Sequence, residues 1–182
     1  MPSDFLEKTL EDIIFNNRDK IHTRGYSEEW YDNTERQFTL PSGKRIDIFS
    51  WEIRDNVFYA NVIELKKNTA MRDSFWQGMD YVEELAWHTI ESFEDLKIKL
   101  IIVGNESYSH LSTAGIYGDN VRVYEYTYEW DGILFSPQEY SIEALYKDLQ
   151  NRRLVDPSID FFKKQGFAEK LKKSIPPTTT KE

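Results

Sequence analysis

Residues 96–103 read LKIKLIIV, an almost unbroken apolar run. The run follows a helical pattern over 71–90. Only a strand covered on both faces is apolar at nearly every position, so it reads as a buried central strand. A sheet with such a centre needs helices against it. The expectation is therefore an α/β domain with a mixed central sheet flanked by helices.

The segments before the run fill in the order. Residues 4–20 read as an amphipathic helix. Leu6, Leu10, Ile13, Ile14 and Asn17 keep helical spacing, Ser3 or Asp4 serves as cap, and Arg18 and Lys20 close the last turn. Glu7 and Glu11 lie one turn apart beside that stripe. A polar, aromatic linker spans 26–33. Strands over 35–40, 45–53 and 57–66 are separated by a Pro41–Lys44 turn signal and by a tight turn at Arg54, Asp55 and Asn56. The pattern is an antiparallel meander. In the helix over 71–90, Phe75, Met79, Val82, Leu85 and Ala86 form the apolar stripe. Gln77, Tyr81, Glu84 and His88 run along another face. Beyond 103 come a loop or short helix over 104–119, strands over 121–128 and 132–135, helices over 141–149 and 156–173, and a disordered tail over 174–182. This predicts one domain over 1–173.

Composition sets bounds on function. No stretch of the 182 residues approaches the roughly 18 apolar residues a membrane helix needs. The start shows no signal-peptide pattern, so a cytoplasmic protein is expected. With no cysteine there are no disulfides and no thiolate metal ligands. His22, His88 and His110 are scattered, and none has a second histidine or acid at ligand spacing. There is no Gly-rich phosphate loop and no serine elbow. The net charge of −9 argues against strong, non-specific nucleic-acid binding. The tyrosine-rich run around Trp130 and the other aromatics read as sheet packing, with base stacking or a protein interface as the functional alternative. The basic positions from Lys163 to Lys173 read as a solvated helix face or a contact to a nucleic-acid backbone.

One constellation carries chemistry. Residues two apart on a strand share a face, so Glu64 and Lys66 project together with Leu65 opposite. Asp47 lies on the preceding strand, seventeen residues earlier across a single turn. If the two strands pair as neighbours, Asp47 joins them. Two carboxylates and one amine can hold a divalent cation and poise a water beside it. Taken singly, Asp47 reads as a cross-strand partner, Glu64 and Lys66 as a solvated strand end, and Gln77 and Tyr81 as a packing edge.

Glu11, Asp47 and the Glu64-Leu65-Lys66 triplet, in that order, resemble the PD-(D/E)XK nucleases over about residues 4–103. Gln77 and Tyr81, on the helix after the lysine strand, are similar to the Gln-x-x-x-Tyr pair of the RecB-like exonucleases and archaeal resolvases in that superfamily. Ile46 stands where the superfamily's name places proline, which many members lack. The resemblance implies a restriction-endonuclease-like core at 4–103, a variable part at 104–173 and metal-dependent deoxyribonuclease activity, either endo- or exonucleolytic. It implies Mg²⁺, or Mn²⁺, held by Asp47, Glu64 and the Leu65 carbonyl, with Glu11 reaching in directly or through a water. Lys66 would orient the water, while Gln77 and Tyr81 would contact the substrate backbone or hold Lys66. Lys67 would point away. The implied partner is nucleic acid, DNA foremost, with a homodimer or protein partner through the C-terminal part and no membrane. The rival expectation is a nuclease fold kept as a non-catalytic protein- or nucleic-acid-binding module, for example in phage or defence biology.

Overall fold

A computed structural model of the chain describes residues 3–21, 25–67, 69–70, 72–107, 109–130 and 132–138, with isolated positions beyond. By its internal contacts the chain separates into two compact units, Met1–Leu145 and Tyr146–Glu182. All the described strands belong to the first unit. Apart from isolated positions, the helices and tail expected after residue 140 lie outside the described residues, as do the side chains of the proposed caps Ser3 and Asp4.

Helix α1 (Ser3–Asn16) comes first, then a short α2 (Arg18–Ile21). The single helix expected over 4–20 is thus two. The break falls at Asn17, whose backbone and side-chain amides both donate to the Ile13 carbonyl, at 3.1 and 2.9 Å. A polar side chain competing for a backbone acceptor is a common way for a helix to end. Strands β1 (Asn33–Thr39), β2 (Arg45–Arg54) and β3 (Val57–Leu65) form the antiparallel meander. A two-residue β4 (Thr69–Ala70) precedes helix α3 (Arg72–Thr89). The apolar run is β5 (Asp95–Gly104). It lies between β3 and β7 (Val121–Glu129), parallel to both. Ahead of β7 come β6 (Glu106–Ser107), which pairs with β4, and 3-10 turns at Ser109–Ile116 and Gly118–Asn120. Among the described residues β8 (Gly132–Gln138) completes a mixed six-strand sheet, in the order β1-β2-β3-β5-β7-β8.

The sheet's side chains alternate between two cores. Val62, Leu100 and Ile102 pack with Phe75, Tyr81 and Leu85 of α3. Ile63, Leu65, Ile101 and Val103 pack with Leu10 and Ile14 of α1. α3 sits close over β5 at Gly78, where an added Cβ would stand 2.4 Å from a Leu100 methyl. The linker expected over 26–33 is partly core. Tyr26 is buried, 5.5 Å from the Trp30 ring and 5.0 Å from that of Tyr124, and Glu28 is buried beside them. No helix among the described residues is long and apolar enough to cross a membrane.

Candidate active site

The site's register is set at a distance. Asp55 and Asn56 join β2 to β3 and both have positive φ, 49° and 61°. A two-residue hairpin loop with both residues left-handed matches the twist of its strands, and Asp and Asn tolerate that conformation. The pairs then run from Arg54↔Val57 to Ile48↔Ile63. One further step in the same register sets Asp47 opposite Glu64.

There the regular pattern stops. Ile48 packs in the α1 core, but Ile46, two residues earlier, packs in the α3 core. In β1 the same switch occurs. Arg36 lies over the Phe15 ring on the α1 side, while Phe38 packs with tilted rings against Phe49 and Trp51 in the α3 core. A regular strand would keep each of these i, i+2 pairs on one face. The switch happens at Gln37, with φ 50°, and at Asp47 across from it. The ladder steps from Arg36↔Ile48 to Phe38↔Ile46, skipping that position. A left-handed non-glycine residue costs about 1 kcal/mol or more.

The switch re-aims Asp47. Its Oδ2 accepts the Leu65 backbone N–H at 2.7 Å, so a side chain takes over where the β2–β3 ladder ends. Its Oδ1 accepts from the Gln37 amide at 3.4 Å. The same amide nitrogen donates to Glu11 Oε2 at 2.8 Å. Glu11 therefore reaches Asp47 through Gln37. Arg36 flanks the group, 3.7 Å from Glu11 and paired with Asp12.

A second chain of hydrogen bonds starts one residue away. Glu64 is 2 % exposed and shares the α3 face with Val62. Lys66 Nζ donates to Glu64 Oε1 at 2.5 Å and to the Gln77 side-chain carbonyl at 3.5 Å. Gln77 then donates to the Tyr81 hydroxyl at 2.6 Å. Tyr81 is itself buried in the α3 core, although the sequence set it on a face apart from the apolar stripe. Burial holds its phenol above its ordinary pKa. The Gln77 bond opposes this, and the charges of Glu64 and Asp47 add to it. The hydroxyl therefore stays protonated at neutral pH. Lys67, the next residue, lends its carbonyl to Tyr126 of the α1 core, while the Lys66 amide extends the parallel ladder to Val103.

The two chains meet on residues 64–66. All six expected side chains belong to one or the other, and Leu65 links them through its amide. Gln37 was not anticipated. Nothing local in the sequence marks a strand glutamine as left-handed.

Among the described residues, no three His, Cys, Asp or Glu side chains form a group that could hold a metal ion. A smaller set is at hand. Asp47, Glu64 and the Leu65 carbonyl are hard oxygen donors. Mg²⁺ keeps several waters and takes only one or two protein carboxylates, so the donor chemistry suits it or Mn²⁺.

No protein-family model, curated protein or solved structure matches the chain.

Proposed function

We propose that this protein is a metal-dependent nuclease of the PD-(D/E)XK type, with a restriction-endonuclease-like core, hydrolysing phosphodiesters in DNA. One observation carries the reading. At the end of β3 Asp47 bonds to the amide of Leu65, while Glu64 starts a chain of hydrogen bonds that runs through Lys66 to Gln77 and Tyr81 on α3. This order along the chain and this placement support the reading.

The residues divide the work. Asp47, Glu64 and the Leu65 carbonyl would hold Mg²⁺ or Mn²⁺. When bound, the cation supplies a Lewis acid and a coordinated water of lowered pKa. Lys66, steered by Glu64 and the Gln77 carbonyl, places its ammonium where negative charge develops on the phosphoryl oxygens. Gln77 locks that lysine and is itself held by Tyr81. The protonated Tyr81 hydroxyl remains a hydrogen-bond donor beside them.

The test is cleavage of linear, circular and single-stranded DNA in Mg²⁺, Mn²⁺ or EDTA. Metal-dependent cleavage is expected, lost in EDTA and in Lys66→Ala but little changed in Lys67→Ala. Cleavage of circular DNA identifies an endonuclease. If Lys67→Ala is the more damaging substitution, the assignment of Lys66 fails. The net charge of −9 favours a second reading, a nuclease fold acting as a binding module. No cleavage over a broad panel of nucleic acids and metals would select it.

A further inference from the structure

The Gln37 side chain stands between two carboxylates from different elements, Glu11 on α1 and Asp47 on β2. Its amide nitrogen is 2.8 Å from Glu11 Oε2 and 3.4 Å from Asp47 Oδ1. Ionised carboxylates only accept hydrogen bonds, so the amide must present its NH₂ group to both. The residue reaches this place through a left-handed φ of 50° inside β1, at the point where β1 and β2 change faces. A residue there with φ in the ordinary range would leave Gln37 on a sheet face. Arg36, 3.7 Å from Glu11, cannot substitute for it, because its guanidinium also serves Asp12 and lies over the Phe15 and α1 side of the sheet.

We infer that Gln37 is a positioning residue: its amide ties Glu11 to Asp47 and so presets the acidic side of the cation site. The inference rests on the nuclease reading of that site. The physical reason is electrostatic. Two carboxylates drawn toward one place repel each other before a cation arrives. A neutral donor shared between them offsets part of that repulsion and holds Asp47 Oδ1 at a fixed angle while Oδ2 stays on Leu65. Partners of this kind, which orient a metal ligand without touching the metal, typically change affinity by about 10- to 100-fold. Glu11 then acts as an outer acidic arm, brought to the site by Gln37.

The experiment is Mn²⁺ titration of the full-length protein by isothermal calorimetry, with no nucleic acid present. Gln37→Leu keeps the bulk and removes the donor. Gln37→Gly removes the donor and also relieves the backbone, since glycine adopts positive φ freely. Both variants are expected to bind Mn²⁺ about tenfold more weakly than wild type. The metal-free melting temperature of Gln37→Gly should hold or rise. A purely structural role predicts the reverse, with lower melting temperature and unchanged Mn²⁺ affinity, and that result overturns the inference. Tighter Mn²⁺ binding in either variant also overturns it, since Gln37 would then be blocking the site. Asp47→Ala separates the two levels. If wild type binds Mn²⁺ and Asp47→Ala does not, yet both Gln37 variants match wild type, only the role of Gln37 fails. If Asp47→Ala binds Mn²⁺ as wild type does, or wild type binds none, the metal site itself fails.

Discussion

Two lysine–glutamate pairs in this protein have nearly the same geometry and opposite surroundings. Lys66 lies 2.5 Å from Glu64 on the α3 face of the sheet, and Lys99 lies 2.6 Å from Glu28 on the α1 face. Both carboxylates are almost fully buried and both ammonium groups are partly open to solvent. Glu28 has more than one cation: Arg122 stands 3.6 Å from its Oε1, and the Tyr124 hydroxyl donates to the same oxygen at 2.7 Å. Glu64 has the opposite balance, because its neighbour across the strands is a second carboxylate, Asp47. The first group is closed by its own cations. Among the described residues the second sets two acids beside one ammonium, a balance that suits a further cation. A buried ion pair is therefore no sign of a site by itself. What distinguishes the two is the surplus of charge of one sign and the interrupted strand pairing beside it.

The largest expected effect breaks the comparison at the site. Glu64→Ala should lower cleavage at least about a thousandfold, because loss of a direct ligand should exceed the 10- to 100-fold typical of a supporting partner. Metal-free stability should hold or rise, since one of two neighbouring carboxylates is gone. A thermal melt in EDTA beside a cleavage assay checks both, and full activity in Glu64→Ala would remove the site's distinction from the Glu28 group.

Lys99→Ala should behave the other way. It leaves Glu28 buried with fewer partners, which costs about 3 kcal/mol, while the cleavage rate per folded molecule should not change. Chemical denaturation reads the first quantity. A variant as stable as wild type would show that Arg122 and Tyr124 suffice.

A smaller effect concerns Tyr124, whose pKa is pushed up to about 12, first by burial and then by its bond to Glu28, against the opposing hydroxyl of Ser27. A folded value above the unfolded one gives stability that is complete below pH 10 and lost as pH rises from about 10 to 12. Tyr124→Phe should cost about 1 kcal/mol at neutral pH and show a shallower alkaline loss than wild type. Equal alkaline slopes would assign the effect to another group, and Tyr26, also raised by burial, is the first to test.

The smallest effect lies outside both groups. Glu84 on α3 accepts the Ser42 hydroxyl at 2.7 Å and the Ser42 amide at 2.8 Å, and the hydroxyl bond first of all holds its carboxyl below the ordinary range. Its contribution is present above the unfolded value and is lost as pH falls through the folded one. Ser42→Ala should cost less than about 1 kcal/mol at pH 7, and the difference from wild type should vanish in acid. A difference that persists at low pH would mean that Ser42 acts through the turn and not through Glu84.

Much of the arrangement was determined by the sequence alone, because the signals were local. Strand-like segments bounded by turn signals marked β1, β2 and β3, and the nearly unbroken apolar run at 96–103 marked the sheet's centre. Asp55 and Asn56 specified a tight turn, and a turn of that length dictates register along both strands. Strand parity put Glu64 and Lys66 on one face and helical spacing put Gln77 and Tyr81 on another, both short-range signals, while only the resemblance to the nuclease motif joined the two pairs. Tertiary structure alone decided the rest. The face switch at Gln37 and Asp47 comes from packing Ile46 and Phe38 into one core and Ile48 into the other, a choice no single strand contains. Burial of Glu28 depends on Lys99, Arg122 and Tyr124 arriving from β5 and β7, far away in sequence. Tyr81, read as a packing edge, is fully core, on a helix that lies close over β5 at Gly78. Each of these is a contact between elements, and the energy of such contacts is set by what lies across the gap, which local spacing does not record.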